Sequence, residues 1–247
     1  MSGRLPKRTS RPSRLPGRKD SRREDSRRTN VGAASSAAWA SAWLGDDRLF
    51  MPLGHEPGYD YPLLVWLPDT TVNGRPFDLG RVMTRVSLRN HVAVQPAPAA
   101  GEDREEAVWR SIERVCERVA IHRRRIFLAG QGSGGTEAFR IACRHPREFA
   151  GVASLGGPFP LDEGLFAQLA EVRRLPMLLC CQRAGVVSRA AATDRMLRLF
   201  HAAGAALAMR IYPGRDDLSR AALADLNRWI MDEVCGTPAV THSLSAS

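Results

Sequence analysis

The sequence predicts an α/β domain in which a mostly parallel central sheet carries helices on both faces. Three observations carry that prediction. Apolar runs of strand length, clearest in Leu63-Leu64-Val65-Trp66-Leu67, belong to strands covered on both faces. Between them lie segments with apolar residues at helical spacing, and the two kinds alternate at the interval of βαβ units. A glycine-rich turn, Gly130-Gln131-Gly132-Ser133-Gly134-Gly135, joins one such strand to one such helix.

Taken in order, Asp46–Leu53 (DDRLFMPL) reads as an early strand and Tyr61–Pro68 (YPLLVWLP) as a buried one. His91–Pro96 (HVAVQP) repeats the signal after a short helical segment. In DREEAVWRSIERVCERVA, the residues Val108, Ile112, Val115, Cys116 and Val119 form one helical stripe. Acids crowd its first turn, where they complement the helix dipole. Arg125–Gly130 supplies the next strand and TEAFRIACRH the helix behind the turn. GVASLGG (Gly151–Gly157), PMLLCCQ (Pro176–Gln182) and LAMRIYP (Leu207–Pro213) complete the strands. A last helix, about Leu218–Val234, buries Leu223, Leu226, Ile230 and Val234 and stops at Gly236 and Pro238.

A chain of 247 residues is long enough for one such domain with a proper core. The expected organisation is a disordered basic tail over 1–30, a linker or short helix over 31–47, the α/β domain over 48–236 and a disordered tail over 237–247. The formal charge of +10 is concentrated at one end: residues 1–30 carry eleven Lys/Arg against three acids, while the rest balances 25 against 23. That Arg-, Ser- and Pro-rich segment holds too little apolar surface to offset its ordering entropy, so disorder is expected. Its arginines would attract a polyanion weakly, with no aromatic residue interleaved for base stacking. A third reading is a twin-arginine export signal, in which SRRTNV (Ser26–Val31) precedes an Ala-rich stretch ending in Ala40-Ser41-Ala42. Three serines weaken that apolar stretch, and a first amphipathic helix is the simpler assignment.

Five cysteines (Cys116, Cys143, Cys180, Cys181, Cys235) have no metal-ligand spacing and leave an odd number, which fits a reducing, cytoplasmic setting. No run of eighteen apolar residues occurs, so no membrane span is expected. No metal and no cofactor is expected either.

RIFLAGQGSGGTEAFRIACRHPREFAGVASLGG resembles, without a gap, the central segment of α/β-hydrolases of the phospholipase/carboxylesterase type. YPLLVWLPD, RNHVAVQP and LPMLLCCQ…AAGAALAMRIYPG fall in that family's order, and ALADLNRWIMDEVCG resembles its closing helix, so the likeness spans about Arg48 to Gly236. The resemblance implies a serine nucleophile in the turn, an acid after the PMLLCCQ strand and a histidine after Tyr212-Pro213-Gly214. The ungapped frame sets Gly132, not Ser133, at the nucleophile position. Steric reasoning agrees, because strand and helix approach closely two residues either side of the apex and only Gly130 and Gly134 suit those flanks. Ser133 then opens the following helix, with its hydroxyl turned toward the cap. The acid position falls near Ala184 or Gly185 and the histidine position near Asp216, so neither bears the family's residue. Pro68-Asp69 stands where the family's oxyanion loop usually begins with His-Gly, and a carboxylate there would repel a developing oxyanion. None of His55, His91, His122, His145, His201 and His242 falls in the turn where a base is required.

The leading expectation is therefore a non-catalytic α/β-hydrolase-fold protein that binds a small acyl-type ligand, or a protein partner, at the carboxyl ends of its strands. The candidate rim is Pro68, Asp69, Gln131, Gly132, Ser133, Pro158 and Asp216. The alternative is an active serine carboxylesterase or thioesterase using Ser133, with Asp216 or Asp217 as base. A third reading makes the basic tail the functional part and the domain its scaffold.

Overall fold

A computed structural model of the protein describes residues 40–70, 79–161 and 168–236. The expected tails over 1–30 and 237–247, residues 31–39 and His242 lie outside the described residues.

Eight strands form one sheet: β1 (Ala40–Leu44), β2 (Asp47–Met51), β3 (Tyr61–Leu67), β4 (Val92–Gln95), β5 (Ile121–Gln131), β6 (Gly151–Leu155), β7 (Met177–Gln182) and β8 (Leu207–Tyr212). Their order is β1-β2-β4-β3-β5-β6-β7-β8. The pairs β1–β2 and β2–β4 are antiparallel, and every pair from β4 to β8 is parallel. Among the described residues seven helices accompany them: α1 (Leu79–Val86), α2 (Arg104–Arg118), α3 (Ser133–Arg144), α4 (Leu169–Val172), α5 (Arg183–Ser188), α6 (Ala190–Ala203) and α7 (Arg220–Cys235).

The alternation of side chains along a strand divides the core. Leu63, Val65 and Leu67 of β3 join the α2, α3 and α6 side, which includes Val108, Ile112, Phe139 and Phe200. Leu64 and Trp66 point the other way, into Met83 and Val86 of α1 and Leu223, Leu226 and Ile230 of α7. Both sides are apolar, which is why β3 shows no polar alternation. Asp103 starts α2 with a reciprocal capping box to Glu106, and α7 ends at Gly236 in the left-handed region, φ 63°.

One local expectation needs correction. Residues 40–44 form a strand rather than a linker or helix, because their backbone pairs with Asp47–Met51 across a tight turn at Gly45, φ 67°. His122 lies within β5, which begins at Ile121, and Arg183–Ser188 coils into α5.

The topology also locates a crevice. From β3 the chain crosses to β4 on one side, and from there through α2 to β5 on the other side of β3. The segment after β3 and the turn after β5 therefore leave adjacent strand ends, where open α/β sheets hold their ligands.

Candidate functional site

The turn after β5 is built from glycines because three backbones converge there. A Cβ on Gly130 would lie 2.5 Å from the Gly134 carbonyl carbon, and one on Gly134 would lie 2.6 Å from the Pro68 carbonyl oxygen. No real Cβ makes such contacts, so both flanks must be glycine. Gly132 stands at the apex with φ 50° and ψ −123°, and its N–H donates to the Leu155 carbonyl at 2.9 Å. That backbone is strained for any residue with a side chain.

Asp69, in the segment after β3, covers the apex. A Cβ added to Gly132 would lie 2.7 Å from the Asp69 carboxyl carbon, so this carboxylate occupies the space a side chain at position 132 would need. Ser133 opens α3, but its hydroxyl does not turn toward the cap. It donates to Asp69 Oδ1 at 2.7 Å, accepts from the Thr70 N–H at 3.0 Å, and lies 3.0 Å from Thr70 Oγ1. The cause is proximity: β3 and β5 are neighbours, so acceptors on the β3 segment reach the hydroxyl without a bend. Thr70, whose N–H donates to the Ser133 hydroxyl, was not foreseen. Its only sequence signal is that it follows the end of the strand beside the turn.

On the other side of the apex stands Asp217, in the loop after β8. A Cβ on Gly156, φ 80°, would lie 2.5 Å from Asp217 Oδ1, so the carboxylate packs onto the Gly156 backbone. Gly156 follows the residue whose carbonyl accepts from Gly132, which sets Asp217 beside the turn. Burial raises the Asp217 pKa above the ordinary carboxylate value, and the charges of Asp216 and Asp69 add to that. The Gln182 amide and Arg189 act in the opposite direction.

Beneath Asp217 opens a cavity of about 190 Å³ at the carboxyl ends of β6, β7 and β8. Phe159, Leu179, Val186, Met196 and Met209 form most of its wall, with Gln182, Arg189 and Asp217 as the polar groups. Of the expected rim and triad-equivalent residues, Pro158 and Gly185 line this cavity. Pro68, Asp69, Gln131, Gly132 and Ser133 do not; they belong to the turn beside it, with Gln131 ending β5. Asp216 does not line it either. It is exposed, accepts the Leu218 N–H on Oδ1 at 3.0 Å, and leaves the wall position to the next residue. One step along a loop separated the expected residue from the observed one.

Among the described residues, no histidine accompanies these groups. His91 is buried against Asn227, His145 pairs with Glu105 at 2.5 Å, His55 stacks on Tyr61, and His201 is exposed on α6. Cys181 lines the cavity, but burial pushes its thiol up to about 11, with Asp217 adding and Arg189 opposing, so it stays protonated at neutral pH. Among the described residues no cluster of three or more His, Cys, Asp and Glu is arranged to hold a metal, and no helix is long and apolar enough to cross a membrane.

Comparison with solved structures decides what this framework is. A ferulic acid esterase superposes with TM-score 0.57 at 14% identity, over 76% of this chain and 92% of that one. A fluorophosphonate-binding serine hydrolase of Staphylococcus aureus, crystallised with substrate bound, gives TM-score 0.56 at 13% identity over 76% and 91%. A putative esterase from Staphylococcus aureus gives 0.55 at 13% over 80% and 84%. The chain has the α/β-hydrolase fold. No family model and no curated protein matches the sequence. At such low identity the superpositions carry the fold alone.

Proposed function

We propose that this protein is a member of the esterase-type α/β-hydrolases that has lost hydrolytic chemistry and binds a small ligand in the cavity beside the elbow. One observation carries the proposal: the Asp69 carboxylate fills the space above Gly132 where a nucleophile's side chain would stand. Acyl transfer needs a nucleophile, a base to take its proton, and donors for the oxyanion. Gly132 offers no side chain, no described histidine approaches the turn, and the Thr70 N–H is engaged by Ser133. Asp69 adds negative charge where an oxyanion would form, and each of these deficits alone costs orders of magnitude in rate. The cavity walls accept an apolar body of acyl size, which supports binding without turnover. The free thiols of Cys143, Cys180 and Cys181 agree with a cytoplasmic setting.

The competing reading, hydrolysis through Ser133, has one observation in its favour, the 2.7 Å hydrogen bond to Asp69. A carboxylate is a far weaker base than imidazole and leaves a serine hydroxyl protonated at neutral pH. Labelling of the purified protein with a fluorophosphonate, beside Ser133→Ala, separates the two. No Ser133-dependent adduct is expected, and a stable adduct lost in the variant would establish the esterase reading.

A further inference from the structure

The sheet ends at β8, whose outer edge meets no other strand among the described residues. The hydrogen-bond phase of the sheet fixes which residues stand on that edge. In a parallel ladder a residue turns its N–H and C=O to the same neighbour, and the next residue turns both to the other side. The Val152 N–H donates to the Pro176 carbonyl and the Gly156 N–H to the Cys180 carbonyl, so the even-numbered residues of β7 bond toward β6. The odd-numbered ones bond toward β8. Met177 pairs with Leu207 and Leu179 with Met209, so the even-numbered residues of β8 bond back to β7. Leu207, Met209 and Ile211 therefore turn both backbone groups outward. Natural edges are blunted by charge, proline or a bulge, and these three positions carry none of them. Their side chains share one face of the sheet. Leu207 and Met209 pack on the core there, while Ile211 is 51% exposed.

We propose that two copies of this chain join β8 to β8, antiparallel, about a two-fold axis at Met209, so that their two sheets become one. A contact of this kind must be complementary to itself. The outward residues meet that condition, because Leu207 and Ile211 lie two positions either side of Met209. Leu207 then faces Ile211 of the second copy, and Met209 faces its own equivalent. These pairs are the ones whose backbones point outward, and each exchanges two hydrogen bonds, about six in all. Arg210 projects on the other face, opposite Ala208. An axis at Arg210 would set two guanidiniums directly opposite each other and Leu207 against Pro213, which has no N–H to donate. An axis at Ala208 would set Ile211 against Ala205, beyond the start of β8. Charge and backbone chemistry thus select one register, and in it the exposed Ile211 is covered.

Sedimentation equilibrium of the full chain tests this. A contact made by one strand is small, so the dimer should be weak, with a dissociation constant on the order of 1–100 µM. Ile211 occurs twice in the contact, so Ile211→Glu should weaken it by about tenfold per copy and about a hundredfold in all. Met209→Pro removes an outward N–H and no bond to β7, and should give a folded monomer. Ile211→Glu, at an exposed position, keeps the test open should the proline variant fold poorly. Amide exchange at Leu207, Met209 and Ile211 should slow as the concentration of wild-type protein rises. A chain that stays monomeric up to about 500 µM would overturn the proposal. So would a dimer that both variants leave intact, since its contact would lie elsewhere. A monomer that dimerises only after deletion of residues 237–247 would assign the edge to the chain's own C-terminal segment and overturn it as well.

Discussion

Gly132→Ala tests the proposal that the Asp69 carboxylate blocks the elbow. The new Cβ would lie 2.7 Å from the Asp69 carboxyl carbon, on a backbone at φ 50°. Holding a side chain in that region of the backbone costs about 1–3 kcal/mol. The carboxylate must also retreat, which breaks its bond with the Ser133 hydroxyl, and a hydrogen bond to a charged group contributes about 1.5–3 kcal/mol. The two add to roughly 2.5–6 kcal/mol of destabilisation. Asp69→Ala alone should lose the hydrogen bond but open the space. Adding Gly132→Ala in that background should then cost only the backbone strain, about 1–3 kcal/mol. Urea denaturation of the wild type, both single variants and the double variant closes the cycle. The coupling should be about 1.5–3 kcal/mol in the direction that makes the double variant less damaged than the sum. Additivity within about 0.5 kcal/mol would mean that Asp69 does not occupy the nucleophile's space, and the reason for calling the elbow blocked would fall.

Other outcomes follow from the same structure. Gly134→Ala should destabilise by about 3 kcal/mol or more, since its Cβ meets the backbone of Leu67 and Pro68, which cannot step aside; a variant with wild-type Tm and soluble yield would contradict this. Burial lowers the His91 pKa below its ordinary 6.5, against the raising effect of its Asn227 hydrogen bond. The unfolded chain therefore binds a proton first, and the stability due to neutral His91 is full above about pH 6.5 and falls as the pH drops through that value. Denaturation at pH 7.5 and 5.5 should show the loss, and His91→Gln should flatten it. Deleting residues 2–30, which carry a net charge of +8, is expected to abolish salt-sensitive retention on a heparin column while leaving the domain folded. Retention that survives the deletion would assign the contact to the body.

Much of the fold was legible because burial on both faces leaves a direct mark on composition. Leu63–Leu67 reads as a central strand without any partner in view, and the glycines at 130, 132 and 134 announce a close strand-to-helix turn. Edge elements were less legible. Residues 40–44 are Ala-rich and look helical, yet pairing with β2 decides their conformation, and pairing is not a property of either segment alone. The Ser133 hydroxyl was expected at its own helix cap on local grounds; the Asp69 carboxylate, an acceptor 64 positions away, and the Thr70 N–H, a donor 63 positions away, hold it instead.

By itself the sequence determined the α/β class and the apex at Gly132, since each depends on residue type at a known spacing. Only the tertiary structure decided that Asp69 fills the apex and that Asp217 rather than Asp216 faces the cavity. The reason is physical. Residue identity and local periodicity act along the chain, whereas a pocket is made where the ends of β3, β5, β6, β7 and β8 come together, and its chemistry depends on the direction each side chain takes once the sheet has closed around it.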